Sequence, residues 1–217
     1  MSAAKPVIYD GNLARQLVQG DLMCAGEVIN NALTTVGSGT ILGSMLATGI
    51  LNRTGPAGAF TDTTDTAGNI IAAIFGGINN TGLQNGTTFR LTYINSVAFA
   101  ATLAAGTGVT LGANTGIAAS SVKDYLVTVT NGTPLSVQIA NQTNASAVIT
   151  GMTQAQTNTV AVGQLVTGTN IPAAATVISI QSGIGVTLSA AATASITSNA
   201  LTFSPTLRID SLGQKLL

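Results

Sequence analysis

Two aspartates close together in the chain are the best candidates for a chemical site. Asp62 and Asp65 stand among threonines, just before an apolar helical pattern that begins at Ala67. Two carboxylates beside hydroxyl groups could bind Ca²⁺ through oxygen ligands, but the remaining acids of an EF-hand loop are missing. Acidic and hydroxyl side chains are favoured at helix N-termini, so we expect helix capping, with Asp65 or Thr66 as the N-cap. Two acids on one capping turn also have poor geometry for flanking a sugar as a glycosidase pair.

Other catalytic constellations find little support. The chain has no histidine, which excludes Ser-His-Asp and Cys-His catalysis and removes the commonest transition-metal ligand. Cys24, the single cysteine, can form no intrachain disulfide, and we interpret it as a small buried hydrophobic residue. The glycine-rich segments Gly37–Gly43 and Gly106–Gly112 lack the spacing and the lysine of phosphate loops. We therefore predict no catalytic residue, no metal site and no cofactor, and a protein that is not an enzyme.

Charge is unusually scarce. Charged residues make up 6% of the 217 residues, whereas ordinary soluble domains contain about 25%. Hydrophobic residues make up 46%, enough for a core, which argues against a disordered chain. Residues 125–207 contain no Asp, Glu, Lys or Arg, a run of 83 positions. Such a surface loses few charge–water interactions when it packs against other protein, so the composition favours an assembling structural protein.

The same composition disfavours two classes of partner. The net charge is zero and no basic cluster occurs, which argues against nucleic acid and against an anionic membrane surface. The longest helix-like apolar stretch, Ile70–Phe75, is far shorter than the ~20 residues of a membrane span. The segment after Lys5 is too short for the apolar region of a signal peptide, so we expect synthesis in the cytoplasm.

One helix is predicted with clear boundaries. Residues 67–75 place Ile70, Ile71, Ile74 and Phe75 on one apolar face, and Gly76-Gly77 ends the pattern. A further helix is expected near residues 22–33.

Most of the chain has the pattern of short strands. Strand-like segments separated by turn residues indicate a mainly β protein, a β-sandwich or barrel body of jelly-roll type with one short helix. The segments are residues 40–52, Thr88–Ile94 after the turn Asn85-Gly86, 97–103 and Val109–Leu111. The best hairpin pairs Tyr125, Val127 and Val129 with Leu135, Val137 and Ile139 across the turn at 131–134.

Composition divides the chain into three parts. Residues 1–37 carry five charges and are interpreted as an N-terminal arm, which either reaches a neighbouring subunit or begins the body. Residues 38–140 form the β-rich body, completed by a returning strand within 200–217. Residues 141–199 have no charge and no aromatic side chain, and we interpret them as a small β module inserted into the body.

Two segments resemble proteins of tailed phages. Gly163–Pro172, continued by Thr176–Ile180 and Val186–Ala194, is similar to a β module of phage surface proteins, with its Val-x-Gly, Ile-Pro and Val-Thr-Leu-Ser elements. The second segment begins at Phe60–Ala67 and continues through the helix and residues 86–95 to Thr102–Leu111. It resembles auxiliary head proteins that decorate capsids, often as trimers.

The resemblance implies a decoration or cement protein on the outer surface of the virion. Its expected partners are the major capsid protein and its own copies in a homotrimer. The alternative is a tail fibre, tail adaptor or receptor-binding protein, although the chain is short for a fibre and has no tryptophan. A cell-wall hydrolase is disfavoured by the missing histidine and sparse acids, and a bacterial surface-layer or adhesin module by the expected lack of a signal peptide.

Overall fold

The computed structural model describes residues 7–10, 13–16, 31–74 and 85–217 of the chain. The protein is mainly β with a β-sandwich-like body, as predicted. The described strands are, in chain order, β1 (Val7–Asp10), β2 (Leu13–Gln16), β3 (Asn31–Leu33), β4 (Gly39–Ile41), β5 (Ile50–Arg53), β6 (Phe60–Thr64), β7 (Thr88–Asn95), β8 (Ala101–Ala104), β9 (Val109–Leu111), β10 (Gly116–Ile117), β11 (Ser121–Asn131), β12 (Ser136–Gln142), β13 (Val148–Thr150), β14 (Leu165–Thr167), β15 (Val177–Gln181), β16 (Gly185–Leu188), β17 (Ile196–Ser204) and β18 (Thr206–Leu216). The described helices are α1 (Gly43–Ala47), α2 (Ala67–Ile74) and α3 (Gln154–Thr157).

The strands β3 to β8 form a winding that we call the parallel coil. The chain alternates between two sheets, and its successive strands in each sheet run parallel. β3, β5 and β7 are parallel neighbours in a six-stranded sheet of order β3-β5-β7-β11-β18-β9. β4, β6 and β8 are parallel neighbours in a four-stranded sheet of order β10-β8-β6-β4. The chain thus passes from one sheet to the other and back, and both sheets contribute side chains to one hydrophobic core. Alternating apolar residues predict which face of a strand is buried but not its direction, so the parallel pairing was not foreseen.

A short helix interrupts the segment predicted to be a strand. Within residues 40–52 the structure has β4, then α1, then β5, so the continuous strand-like interpretation is wrong. A Cβ on Gly43 would lie 2.6 Å from the main-chain oxygen of Asn69, so α1 approaches α2 too closely for any other residue. Leu46 of α1 is fully buried beneath this contact. The helix is therefore fixed by packing against α2, which local sequence cannot reveal.

The predicted helix is confirmed as α2. It begins at Ala67, and Ile70 and Ile71 are buried in the core. The Thr66 hydroxyl accepts a hydrogen bond from the main-chain N–H of Asn69, at 3.2 Å, which identifies Thr66 as the N-cap. The predicted end at residues 75–77 lies outside the described residues. So do residues 22–30 of the other expected helix, whose last three positions belong instead to β3.

The predicted strand at residues 88–94 is confirmed as β7, with Phe89, Leu91 and Tyr93 buried on one face. The predicted hairpin between β11 and β12 is wrong. β11 pairs with β7 on one side and with β18 on the other, so no edge remains for β12. The turn at residues 131–134 instead carries the chain into a second unit.

That second unit is a closed six-stranded barrel. Its strand order is β14-β17-β12-β13-β16-β15, and the two outer strands meet. The Val177 N–H donates to the Gln164 carbonyl at 3.0 Å, the Gly163 N–H donates to the Val177 carbonyl at 2.8 Å, and Leu165 and Thr176 form a bridge. These contacts join the start of β15 to β14, and the barrel has its own hydrophobic core around Phe203.

The unit boundaries differ from those drawn on composition. Positions 140 and 199 lie inside β12 and β17, both of which belong to the barrel, so the unit spans residues 136–204. β18 is the strand that returns to the body, where it pairs with β11. Residues 31–33, assigned to the arm, form an edge strand of the body. The uncharged composition extends beyond the barrel on both sides, so it marks the unit only approximately.

Amide side chains close both ends of the barrel. At the end near the body, the fully buried Gln164 donates to the carbonyls of Thr133 and Pro134, at 3.3 and 3.1 Å. Its side-chain oxygen accepts from the Ala161 N–H at 2.9 Å. At the far end, Gln142 and Asn199 bond each other at 2.7 Å. These neutral groups satisfy buried main-chain atoms without introducing a charge.

We predict that Gln164→Glu destabilises the protein by roughly 3 kcal/mol, because a buried carboxylate cannot donate to the two linker carbonyls. Chemical denaturation followed by circular dichroism measures the change. Gln154→Glu, at an exposed position on the first turn of α3, is the control and should change stability by less than about 0.5 kcal/mol. Equal stability of the two variants would contradict the assigned role of Gln164.

Candidate binding surface

The densest group of ionisable side chains lies inside the body, where Arg53, Asp62 and Tyr93 meet. Arg53 Nε donates to Asp62 Oδ2 at 2.8 Å, and the Tyr93 hydroxyl donates to the same oxygen at 2.6 Å. All three side chains are fully buried. The guanidinium also lies 4.7 Å from the centre of the Phe60 ring, a favourable cation–π contact.

The remaining polar atoms of this cluster bind the main chain. The other Arg53 nitrogens donate to the carbonyls of Leu33, Thr35, Gly37 and Thr54. The second carboxylate oxygen of Asp62 accepts from the Gly39 N–H at 2.9 Å. With its donors and acceptors occupied and no exposure, the cluster joins β5, β6, β7 and the β3–β4 loop, and it is structural rather than catalytic.

Asp62 and Asp65 do not form a joint site. Asp62 lies on β6 and points into the core, so the expectation that both acids share one capping turn is wrong. Strand alternation turned Asp62 inward, where Arg53 compensates its charge. Within the described ranges, no group of three or more His, Cys, Asp or Glu residues could hold a metal ion. Cys24 lies outside the described residues.

Asp65, the other N-cap candidate, lies just before the N-cap Thr66 and accepts no hydrogen bond from the main chain of α2. Its carboxylate accepts hydrogen bonds from the N–H groups of Gly43 and Thr66, at 3.1 and 2.8 Å, and from the Asn69 amide at 2.8 Å. Burial alone would raise the pKa of Asp65, but these hydrogen bonds outweigh it and lower the pKa below its ordinary value. Asp65 therefore links the starts of α1 and α2.

Two buried tyrosines differ in how their hydroxyl groups are satisfied. Burial, reinforced by the hydrogen bond to Asp62, raises the pKa of Tyr93 far above its usual range. Burial also raises the pKa of Tyr125. The Tyr125 hydroxyl, however, is buried with no hydrogen-bond partner among the described residues. The two residues offer a matched pair for measuring what the Asp62 cluster contributes.

The charged groups of the described chain are concentrated on the body and mostly engaged there. Arg90 pairs with Asp124 at 3.6 Å and Arg208 with Asp210 at 2.8 Å, all four on the six-stranded sheet. Lys123 is buried and donates to the carbonyls of Asn114 and Gly116, and burial lowers its pKa.

The barrel presents a surface of a different kind. Its outer side carries threonine, serine and alanine with single large apolar side chains, and no residue in 125–207 is charged. The exposed large apolar side chains on the barrel and its entry linker are Leu135, Val137, Ile139, Val148, Val162, Ile178 and Ile184. A surface of this type is the strongest candidate for contact with other protein.

Three of these residues form a continuous line. Leu135, which directly precedes β12, and Val137 and Ile139 on β12 alternate as the sequence predicts, but they are 56%, 56% and 48% exposed instead of buried. We call this line the β12 stripe. Ala140 and Gln142 face inward on the same strand, and Gln142 belongs to the amide pair at the far end. Because side chains alternate along a strand, the inward position of Ala140 and Gln142 goes with the outward position of Val137 and Ile139.

Comparison with protein-family models, with curated proteins and with solved structures found no match to this chain. No described helix is long and apolar enough to cross a membrane. Function is therefore inferred from the chemistry of the surface itself.

We predict opposite effects for two single-oxygen deletions. Tyr93→Phe removes a donor from the buried Asp62 carboxylate and should cost about 1.5–3 kcal/mol of unfolding free energy. Tyr125→Phe removes a hydroxyl without a partner and should be neutral or stabilising by up to about 1 kcal/mol. Urea denaturation of both variants measures the difference. A larger loss for Tyr125→Phe than for Tyr93→Phe would refute the hydrogen-bond assignment.

We also expect alkaline unfolding. Because the folded-state pKa values of Tyr93 and Tyr125 are raised, the folded chain holds these protons more tightly than the unfolded chain does. Their contribution to stability is complete below about pH 10 and is lost as the pH rises further. Absorbance at the phenolate band should show at most one of the three tyrosines ionising before circular dichroism reports unfolding. Ionisation of all three in a folded chain would contradict the burial.

Proposed function

We propose that this protein is a structural component of a phage particle, a decoration or cement protein that binds the outside of the head and stabilises it. Its partners are the major capsid protein and its own copies in a homotrimer. The observation that carries the proposal is the barrel, a folded unit whose surface has no charge and exposes several large apolar side chains. The resemblance of residues 163–194 and 60–111 to phage surface and auxiliary head proteins points in the same direction.

The energetics of contact favour this role. Charged side chains lose hydration when they are covered, and unpaired ones make burial costly. The barrel avoids that cost, because threonine and serine hydroxyls and apolar groups can be covered with little penalty. A shell repeats the same contact many times by symmetry, so a modest affinity per contact suffices for stable attachment.

The body supports the role by the way its strands are joined. Its buried ion pair and parallel coil hold neighbouring strands together, and its described residues include no group of acids, histidines or cysteines that could bind a metal ion. The loop from Ala161 to Gln164 also fastens the barrel to the body, since Asn131 donates to the Val162 carbonyl at 2.7 Å. A protein that helps a shell to resist internal pressure depends on such connections between its folded units, and it needs no reactive group.

We predict that the purified protein binds preformed, undecorated capsids of its own phage and that this binding resists salt. Ionic contacts weaken as salt screens them, whereas contact through an uncharged surface does not. The apparent affinity, measured by co-sedimentation, should change less than about two-fold between 50 mM and 500 mM NaCl. The bound copies should reach hundreds per particle.

A matched pair of variants locates the contact. Val148→Glu places a charge on the barrel, and Leu212→Glu places one on β18 of the body, at positions 40% and 51% exposed. The first should weaken capsid binding about ten-fold or more and the second should not. Failure to bind capsids would remove the decoration role, and a copy number of only a few per virion would favour the tail alternative.

A further inference from the structure

We infer that the barrel is a pH-insensitive folding unit, which keeps its fold and its surface in acid that destabilises the body. Residues 126–207 contain no Asp, Glu, Lys, Arg, His, Cys or Tyr, so no side chain of the barrel gains or loses a proton across the ordinary pH range. Stability depends on pH only through groups that bind protons differently in the folded and the unfolded chain. The inference concerns the isolated protein and does not rest on the proposed function.

The buried polar atoms of the barrel are satisfied by groups that do not titrate. The Gln142 amide donates to the carbonyls of Thr169 and Ala194, at 3.1 and 3.0 Å, and accepts from the Asn199 amide at 2.7 Å. Asn199 also donates to the Thr169 carbonyl at 3.0 Å. These hydrogen bonds have the same donors and acceptors in acid as at neutral pH, because amides and carbonyls keep their protonation state there.

The barrel can be maintained without the strands of the body. All six of its strands come from one continuous segment, residues 136–204, and it has its own hydrophobic core. The two ends of this segment lie side by side, since Ser136 of β12 pairs with Phe203 of β17. Loss of structure in the body therefore removes no strand from the barrel sheet.

The body, in contrast, depends on groups that titrate. Acid that protonates Asp62 removes the charge that compensates the buried Arg53 guanidinium, and an unpaired buried charge is costly. The pKa of Asp65 is lower in the folded chain than in the unfolded chain, because its hydrogen bonds outweigh its burial. Its contribution to stability is therefore complete above about pH 4 and is lost as the pH falls further.

The described side chains that bond across the junction between body and barrel are neutral. Asn131 donates to the Val162 carbonyl at 2.7 Å, and the Thr206 hydroxyl donates to the Gly163 carbonyl at 3.4 Å. Arg208, the next charged residue after the barrel, is paired with Asp210 on the body. Titration of the described body residues is thus not passed to the barrel through a charged contact, and a contact made by the barrel surface would persist in acid.

Amide hydrogen exchange of the full-length protein at pH 7 and pH 3, followed by mass spectrometry, tests the inference. Protection factors corrected for the intrinsic exchange rate report the stability of each unit separately. Protection in residues 136–204 should change less than about three-fold between the two pH values, whereas β5, β6 and β7 should lose about ten-fold or more. The inference is overturned if protection of the barrel falls in acid together with that of the body.

A variant that introduces one titratable group supplies an independent test. In Gln142→Glu the buried carboxylate cannot donate to the two carbonyls and carries an uncompensated charge, whereas protonation in acid removes that charge. Barrel protection should then be about ten-fold or more lower at pH 7 than at pH 3, or the barrel should fold only in acid. Gln181→Glu, at an exposed position on β15, is the matched control and should behave like wild type. Equal pH dependence of the two variants would contradict the inference.

Discussion

The ion pair between Arg53 and Asp62 is the interaction on which the body depends. It is buried between the two sheets and binds the main chain of the first coil through four carbonyls and one N–H group. Buried charges are costly unless every donor and acceptor is used, and here the fit is complete enough to hold β5, β6 and β7 in one arrangement. Among the described residues, the other ion pairs, Arg90–Asp124 and Arg208–Asp210, lie on the exposed side of the six-stranded sheet of the body.

In the barrel, buried polar groups are satisfied by neutral amide side chains and not by an ion pair. Gln164 closes one end and the Gln142–Asn199 pair closes the other, where many proteins would use salt bridges. Gln142 lies on the inward face of β12, whereas Val137 and Ile139 lie on its outward face. The same strand therefore carries both a buried polar group and part of the exposed apolar stripe.

The sequence predicted the strand content, α2, its capping by Thr66, and the buried face of β7, because each depends on local spacing or periodicity. It did not predict the parallel coil, the closed barrel or the inward turn of Asp62, because these depend on which distant strands become neighbours. The hairpin between β11 and β12 failed for the same reason, since β18, far along the chain, occupies the edge that a local turn would have used. The uncharged surface was evident from composition, but the β12 stripe required the register.

The most direct test of the account is a cryo-EM map of the particle that carries this protein. The account predicts copies on the outside of the head, with the barrel surface covered by the shell or by neighbouring copies. A map in which the barrel projects freely into solvent while the charged face of the six-stranded sheet makes the contacts would contradict it.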